Sequence, residues 1–347
     1  MNAKAALLAL LLPAAASAQS YAGLGAGADG FAPVTAPADL RFPRDHQAHE
    51  GFRIEWWYLT AILDGDDGAE YGVQWTLFRQ ATDPGPEGES FGSPVIWMGH
   101  AALTAEDDHH YAERFARGGI GQAGVRAGPF EAWIDDWAMR GVDDGIGDLR
   151  ITAAGETFAY DLRAATPMPI VPQGEAGFSV KSEGGQASYY YSQPFYQVDG
   201  TLDVEGRKVA VTGTAWLDRE WSSQPLAGDQ EGWEWFSLVL GDGARVMAFR
   251  LRGSESSYYS GTWIAPDGTP TPLAPDQVRI EPIGEAEVDG RTMPVEWRVE
   301  IPDFGLAVDT EPLNARSWMG TVFPYWEGPI RFQGSHSGRG YLEMTGW

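Results

Sequence analysis

Six consecutive residues, Trp216-Leu217-Asp218-Arg219-Glu220-Trp221, carry the densest potential chemistry in the chain. Alternate side chains of an extended strand share a face. Trp216, Asp218 and Glu220 therefore point one way, and Leu217, Arg219 and Trp221 the other. If the first face lines a pocket, the apolar wall disfavours ionisation, and repulsion between the two acids raises one of them further. A carboxyl kept protonated near neutral pH is a usable general acid, which makes Asp218 and Glu220 the candidate catalytic pair and Trp216 a ligand contact. The competing reading is an exposed strand end whose acids pair with Arg219 or with solvent.

A second cluster is Glu55-Trp56-Trp57-Tyr58, where Arg53, Glu55 and Trp57 share one face and Ile54, Trp56 and Tyr58 the other. Glu55 either pairs with Arg53 or reaches a polar spot of the interior, because an isolated buried charge is costly. Glu55 and Trp57 are candidate ligand contacts. So is His100, which follows Gly99 on an expected strand and reads as a hydrogen-bonded interior residue rather than a catalyst. His46, His49 and Glu50 are spaced for a metal only on a helix, whereas Pro43 and Gly51 argue for a loop, so no metal site is expected. His109-His110 lie in an acidic stretch and read as solvated. A Gly-x-Ser-x-Gly elbow, a phosphate loop, a dinucleotide fingerprint and a calcium loop are all missing from the sequence, so neither a cofactor nor hydrolase chemistry is expected.

The elements that must hold these residues are strands. The chain has 347 residues with 44 Gly and 23 Pro, a composition unsuited to long helices. Short apolar-alternating runs are separated by Asp64-Gly65, Asp67-Gly68, Asp199-Gly200, Glu205-Gly206, Asp242-Gly243, Asp267-Gly268 and Asp289-Gly290, pairs that tolerate hairpin turns. Only Pro275 to Val278 and Asp135 to Met139 leave room for a helical turn. The expected class is all-β. Fifteen Trp, fifteen Phe and thirteen Tyr supply the core, and with no Cys there are no disulfides or thiolate sites.

The chain also repeats itself. Trp57 to Leu63, Asp67-Gly68 and Tyr71 to Arg79 match Trp235 to Leu240, Asp242-Gly243 and Arg245 to Leu251. Gly99 to Leu103 matches Ser260 to Ile264. Tyr191 to Phe195 ending at Val211 to Trp216 matches Trp326 to Ile330 ending at Met344 to Trp347. Consecutive hairpins of this number close as antiparallel barrels, whose interiors either fill with side chains or hold one small ligand. Two barrels add a cleft between them. The expected domains are 41–221 and 222–347, after a flexible Gly/Ala/Pro leader over 19–40.

Lys4, the apolar run Ala5 to Leu12 and Ala16-Ser17-Ala18 form the pattern of a secretory signal over residues 1–18, cleaved after Ala18. The expected location is periplasmic or secreted. The run is too short to cross a bilayer, which takes about 20 residues, and no transmembrane span is expected. The formal charge of −25 argues against nucleic acid and anionic lipid surfaces as partners.

At Glu55-Trp56-Trp57-Tyr58-Leu59-Thr60, Leu217-Asp218-Arg219-Glu220-Trp221-Ser222-Ser223 and Gly340-Tyr341-Leu342-Glu343-Met344-Thr345-Gly346, the sequence resembles the AttH family, often labelled "predicted secreted hydrolase" and related to the carotenoid 1,2-hydratases. The resemblance spans about Phe42 to Trp347. It implies two tandem lipocalin-like β-barrel domains. It also implies a hydratase (hydro-lyase) reaction, in which an isolated isoprenoid double bond is protonated and water adds to the tertiary cation. By motif position the acid is Asp218, with Trp216 two residues before it. Tyr191, or another aromatic of the Tyr189-Tyr190-Tyr191 run, then faces the cation. The hydratases carry Asn and Gly after the aspartate, where this chain has Arg219-Glu220-Trp221. AttH relatives are associated with ABC-transporter permeases, which implies the alternative of a non-enzymatic periplasmic carrier or accessory for an apolar ligand.

Overall fold

The structure, a computed structural model, describes residues 21–88, 92–142 and 145–347; the expected export signal at 1–18 lies outside the described residues. The first sheet begins with β1 (Ile54–Gly65), β2 (Glu70–Ala81), β3 (Val95–Thr104), β4 (His109–Arg117), β5 (Ala123–Ala127), β6 (Phe130–Ile134) and β7 (Trp137–Gly141). It continues with β8 (Asp148–Ala154), β9 (Phe158–Ala165), the short β10 (Val171–Pro172) and β11 (Phe178–Val180), and the long β12 (Ala187–Val204) and β13 (Arg207–Ser222). The second holds β14 (Gln230–Leu240), β15 (Arg245–Gly253), β16 (Ser257–Ile264), β17 (Pro270–Leu273), β18 (Arg279–Val288) and β19 (Arg291–Ile301). β20 (Leu306–Pro312), β21 (Trp318–Met319), β22 (Tyr325–Gly334) and β23 (Gly338–Thr345) complete it.

Both sheets are antiparallel and curled, the first into a nearly closed barrel and the second into a half-barrel, which is the two-barrel, lipocalin-like class expected. They repeat one strand order. The first runs β4-β3-β2-β1-β13-β12-β9-β8-β7-β6-β5, and the second β17-β16-β15-β14-β23-β22-β20-β19-β18. In each, the first strand pairs with the last, and the sheet stays open between its fourth and fifth strands. The matched segments of the sequence repeat fall on corresponding strands, β1–β2 with β14–β15, β3 with β16, and β12–β13 with β22–β23.

The strands correspond, but the register of the match needs adjustment. Glu55 is opposite Arg79 in the first hairpin, and Glu234 is opposite Arg250 in the second; both acids are buried against arginine. This sets Trp56, not Trp57, beside Trp235.

The interior of the first barrel is filled rather than hollow. Trp57, Trp75, Trp97, Trp137, Tyr71 and Tyr196 are nearly inaccessible within one continuous cluster. Facing aromatic rings exclude water and hold the strands at fixed spacing. The second sheet packs Phe236, Trp297 and Trp326 in the same way.

Five of the seven Asp-Gly or Glu-Gly pairs form the turns expected. At Glu205-Gly206 and Asp289-Gly290 both residues take positive φ, the conformation that lets a two-residue turn follow the twist of its strands. Asp64-Gly65 instead ends β1, and Asp199-Gly200 lies inside β12. A Cβ on Gly200 would sit 2.3 Å from the Asp161 carbonyl oxygen, so glycine there permits close strand approach, not a turn. Pro275–Gln277 forms a 3-10 turn as expected, whereas Asp135 to Met139 is a tight turn leading into β7. The leader is tied down over 21–40: Arg53 donates to the Gly23 and Leu24 carbonyls, Ser223 donates to the Ala32 carbonyl, and the Thr35 amide donates to Tyr189. No helix among the described residues is long and apolar enough to cross a membrane.

Candidate functional site

Strand alternation in β13 does what its sequence dictates. Trp216, Asp218 and Glu220 face away from the barrel, towards the second sheet, while Leu217 and Trp221 enter the barrel core. Between the sheets lies a cavity of about 370 Å³, and Asp218, Glu220, Glu343 and Lys181 stand among its lining. The rest of the wall is chiefly apolar, with Ile54, Trp56, Tyr58 and Phe78 from the first sheet facing Trp233, Trp235, Phe249 and Leu251 from the second. Leu24 and Leu226 add to it, so the strapped-down leader is part of the wall.

The cavity follows one line of side chains across the strands. Glu220 is opposite Trp56, Trp56 opposite Phe78, Phe78 opposite Met98, and Met98 opposite Phe115. All five line the cavity. Four inter-strand steps of about 4.8 Å give a trough of roughly 19 Å. One end is acidic and buried. At the other, Ile96, Phe115 and Val322 are 38%, 46% and 62% exposed, an apolar lip on the mouth.

Asp218 is 2% exposed and accepts three hydrogen bonds. Ser192 Oγ and Trp216 Nε1 donate to Oδ1 at 2.5 and 2.6 Å, and the Tyr190 phenol donates to Oδ2 at 2.5 Å. Burial raises the carboxyl, the three donors pull it down, and the nearby Glu220 charge raises it again. Burial wins, and the pKa is pushed up to about 7. Arg219 does not touch it. The reading of an exposed strand end paired to Arg219 is therefore replaced: Glu220, 5% exposed, pairs with Lys181 at 2.9 Å, and the Lys181 ammonium lies over the Tyr190 and Phe249 rings.

Glu343 on β23 lies opposite Trp235 in the ladder, as Glu220 lies opposite Trp56, so the two glutamates occupy equivalent places in the two sheets. The Trp233 indole donates to Glu343 Oε1. Burial, with the Asp218 and Glu220 charges adding to it, outweighs that bond and pushes Glu343 to about 7. Glu327, on β22, is more deeply enclosed. Burial and the Glu343 charge push it well above the usual range, and Tyr58 donates to it at 2.5 Å.

Of the residues singled out in the sequence, the structure brings Asp218, Glu220 and His100 to the cavity wall, with Trp216 bonded to Asp218 just behind it. His100 sits nearer the mouth, its Nδ1 against the Tyr325 hydroxyl at 2.9 Å and its Nε2 against Glu113 at 3.1 Å. Tyr191, Glu55 and Trp57 lie on the barrel side of their strands, away from the cavity. Tyr191 meets His46 Nδ1 at 2.6 Å, and its neighbour Tyr190 takes the cavity face. Trp57 stacks under the Arg219 guanidinium at 3.8 Å. Glu55 does not pair with Arg53. It accepts from Arg219 at 2.6 Å and Arg79 at 3.4 Å, and from the His49 amide at 2.8 Å. Burial pushes Glu55 up, but Arg219, His49 and Arg79 outweigh it and hold the carboxyl down at about 2. His109 is not solvated as expected: it opens β4, bonds Thr104 at 2.9 Å, and burial drives it down to about 3.

The sequence reading missed Glu343, Lys181, Trp56, Tyr58 and Trp235, and it offered Tyr190 only as an alternative to Tyr191. For three of them a signal existed. Setting Glu55-Trp56 against Glu234-Trp235 brings Trp56 and Trp235 to one face, with Tyr58 two residues beyond Trp56 on the same side. Lys181 carries no such signal, and Glu343 comes into register with Glu220 only through the strand ladders.

A family model described as AttH-like matches residues 33–347. The crystal structure of an AttH candidate from Nitrosomonas europaea is 35% identical, covers 91% of this chain and 100% of its own, and superposes with a TM-score of 0.81. Kievitone hydratase from Nectria haematococca, at 16% identity, covers 91% of this chain and 96% of its own with a TM-score of 0.69, a likeness of fold. No curated protein matches. With the model spanning nearly all of the described residues, the chain belongs to the AttH-like family.

Proposed function

We propose that the chain holds an apolar, terpenoid or lipid-like molecule between its sheets and adds water across an isolated carbon–carbon double bond, with Asp218 as general acid. The observation that carries this reading is the setting of Asp218: buried, facing an apolar cavity, and without a cation on it among the described residues. An acid near neutrality holds a proton to give and can take it back at working pH. The proton adds to the less substituted alkene carbon, and the positive charge appears on the tertiary carbon. Trp56, Tyr58, Trp233 and Trp235 present ring faces and edges around that point, which favours a cation over bulk solvent. Water then forms the carbon–oxygen bond and gives up a proton, so that one water is consumed for each alcohol formed. The fold shared with kievitone hydratase supports a hydratase-type reaction. The order of charge, apolar run and small residues over 4–18 supports work in the periplasm or outside the cell.

A second reading, a non-enzymatic carrier or transporter accessory, is favoured by the three donors on Asp218, which suit a purely structural link as well. Incubation with kievitone and with a linear isoprenoid alcohol in heavy-oxygen water separates the two. Hydration predicts label in a new alcohol, lost in Asp218→Asn. No label from any probe, with a lipid released from the purified protein by organic solvent, sinks the hydratase and leaves the carrier.

A further inference from the structure

The hydration reaction needs a second group, to receive the proton that the attacking water loses. Three cavity carboxyls are available, and their partners distinguish them. Asp218 is the acid. Glu220 is held by Lys181 at 2.9 Å. Glu343 is held by the Trp233 indole through Oε1, and no cation pairs with it among the described residues. Glu327, near by on β22, is occupied by the Tyr58 phenol.

Resting on the hydration reading, we propose that Glu343 is the general base, so that the reaction is divided between one carboxyl from each sheet. The two are joined through the wall itself. The Tyr190 phenol donates to Asp218, the Trp235 indole donates to Tyr190 at 3.1 Å, and Trp235 stands opposite Glu343 on the neighbouring strand. Directly opposite residues project to the same side of a sheet. Glu343 therefore faces the cavity beside Trp235, while Asp218 faces it from the first sheet. A double bond lying between the sheets meets an acid on one side and a base on the other.

The protons balance. Asp218 gives its proton to the alkene, whose π pair forms the new carbon–hydrogen bond. The water oxygen gives a lone pair to the cation, and its proton passes to Glu343. Asp218 ends as carboxylate and Glu343 as acid, and transfer of that proton back to Asp218 resets the pair. Groups that repel one another in a desolvated site share protons as a unit, and both carboxyls are raised to about the same value, which eases the return.

The test uses the full chain in heavy water, with a linear isoprenoid alcohol as substrate. Two quantities are read, the alcohol formed and the deuterium in recovered alkene, since Asp218 alone can deliver a deuteron and then remove a proton. Glu343→Gln is expected to lose hydration by about 100-fold or more, the range for a lost general base, while exchange into the alkene stays within about threefold of wild type. Asp218→Asn is expected to lose both. Glu343→Asp, which keeps the charge, is expected to recover part of the hydration and covers the case where the Gln variant folds poorly. Hydration at wild-type rate in Glu343→Gln, or parallel loss of hydration and exchange in both Glu343 variants, overturns the proposal. Wild-type protein that neither hydrates nor exchanges overturns the hydration reading itself, a different result from wild-type turnover that ignores Glu343.

A second arm needs no turnover. An isoprenoid chain ending in a dimethylammonium group mimics the cation, and its binding is followed by tryptophan fluorescence. Glu343→Gln is expected to weaken it by about tenfold at pH 8, where the carboxyl is charged, and little at pH 5. Equal affinity in both proteins at both pH values counts against the assignment.

Discussion

The Tyr58 phenol on β1 donates a 2.5 Å hydrogen bond to Glu327 Oε1 on β22, and it joins the two sheets where both side chains are buried. Burial, together with the Glu343 charge, pushes Glu327 well above the usual carboxyl range. The pair is therefore a neutral acid accepting from a phenol rather than an ion. Tyr58→Phe removes this donor and leaves Glu327 with the Tyr325 hydroxyl only, at a cost of about 1–3 kcal/mol. Urea unfolding should show a lower midpoint with little change in slope. Glu327→Gln, which keeps an acceptor and adds no charge, should be the milder change. The opposite order would mean that Glu327 is ionised.

Asp218 and Glu343 set a pH dependence of known sign. Their folded pKa values, about 7, exceed the unfolded values of 3.8 and 4.5. Between about pH 4 and 7 the unfolded chain has released protons that the folded protein keeps, so stability from these groups is whole below that window and falls as pH rises through it. At about 1.4 kcal/mol per unit, the loss is on the order of a few kcal/mol for each group. Glu55 acts the other way. Held at about 2, it contributes above the unfolded carboxyl value and loses that contribution as pH falls towards 2. The double variant Asp218→Asn, Glu343→Gln should flatten the decline between pH 4 and 7 in denaturant titrations and leave the acid limb in place. A decline as steep as wild type would show that these carboxyls ionise normally.

The face assignments were legible because a strand has period 2: Asp218 with Glu220, and Arg219 on the far side, follow from adjacency alone. The partner of Glu55 was not. Arg219 is 164 positions away and reaches it only because β1 pairs with β13, whereas Arg53 is near in sequence but turned towards the Gly23 and Leu24 carbonyls. Asp199-Gly200 has the composition of a turn, yet lies within an 18-residue strand where a backbone passes close. The one-residue slip that set Trp57 rather than Trp56 against Trp235 exchanged the faces of β1. Glu343 was hidden because the repeat match set Met344 to Trp347 against Val211 to Trp216, whereas the ladders put Glu343 in the place of Glu220, further along β13.

Arg219 tests the difference between holding a site and forming one. Its guanidinium is almost inaccessible, 2.6 Å from Glu55 and stacked on Trp57, on the side of β13 opposite the cavity. Arg219→Ala takes away the nearest cation on buried Glu55 and leaves it to Arg79 and His49, and breaking a buried pair in this way costs about 3–5 kcal/mol. The fraction that remains folded should bind an apolar probe as wild type does. Lost stability together with lost binding in the folded fraction would place Arg219 nearer the ligand than its geometry allows.

The row from Glu220 through Trp56, Phe78 and Met98 to Phe115 makes chain length the variable to measure. A ligand with its polar end at the carboxyls lays its tail along these side chains, and each buried methylene contributes about 0.8 kcal/mol until the tail reaches the mouth. Affinity for linear alcohols of increasing length, followed by quenching of the wall tryptophans, should rise and then level off once the tail passes Phe115. Met98→Trp fills the trough one strand short of its end and should move the plateau to shorter chains without changing affinity for the shortest. Phe115→Ser should leave short chains alone and weaken only the long ones, by about 1–2 kcal/mol, since the ring is already partly exposed. A length profile identical in all three proteins would mean that the ligand does not run across the strands, and that the exposed Ile96, Phe115 and Val322 edge serves something other than its tail.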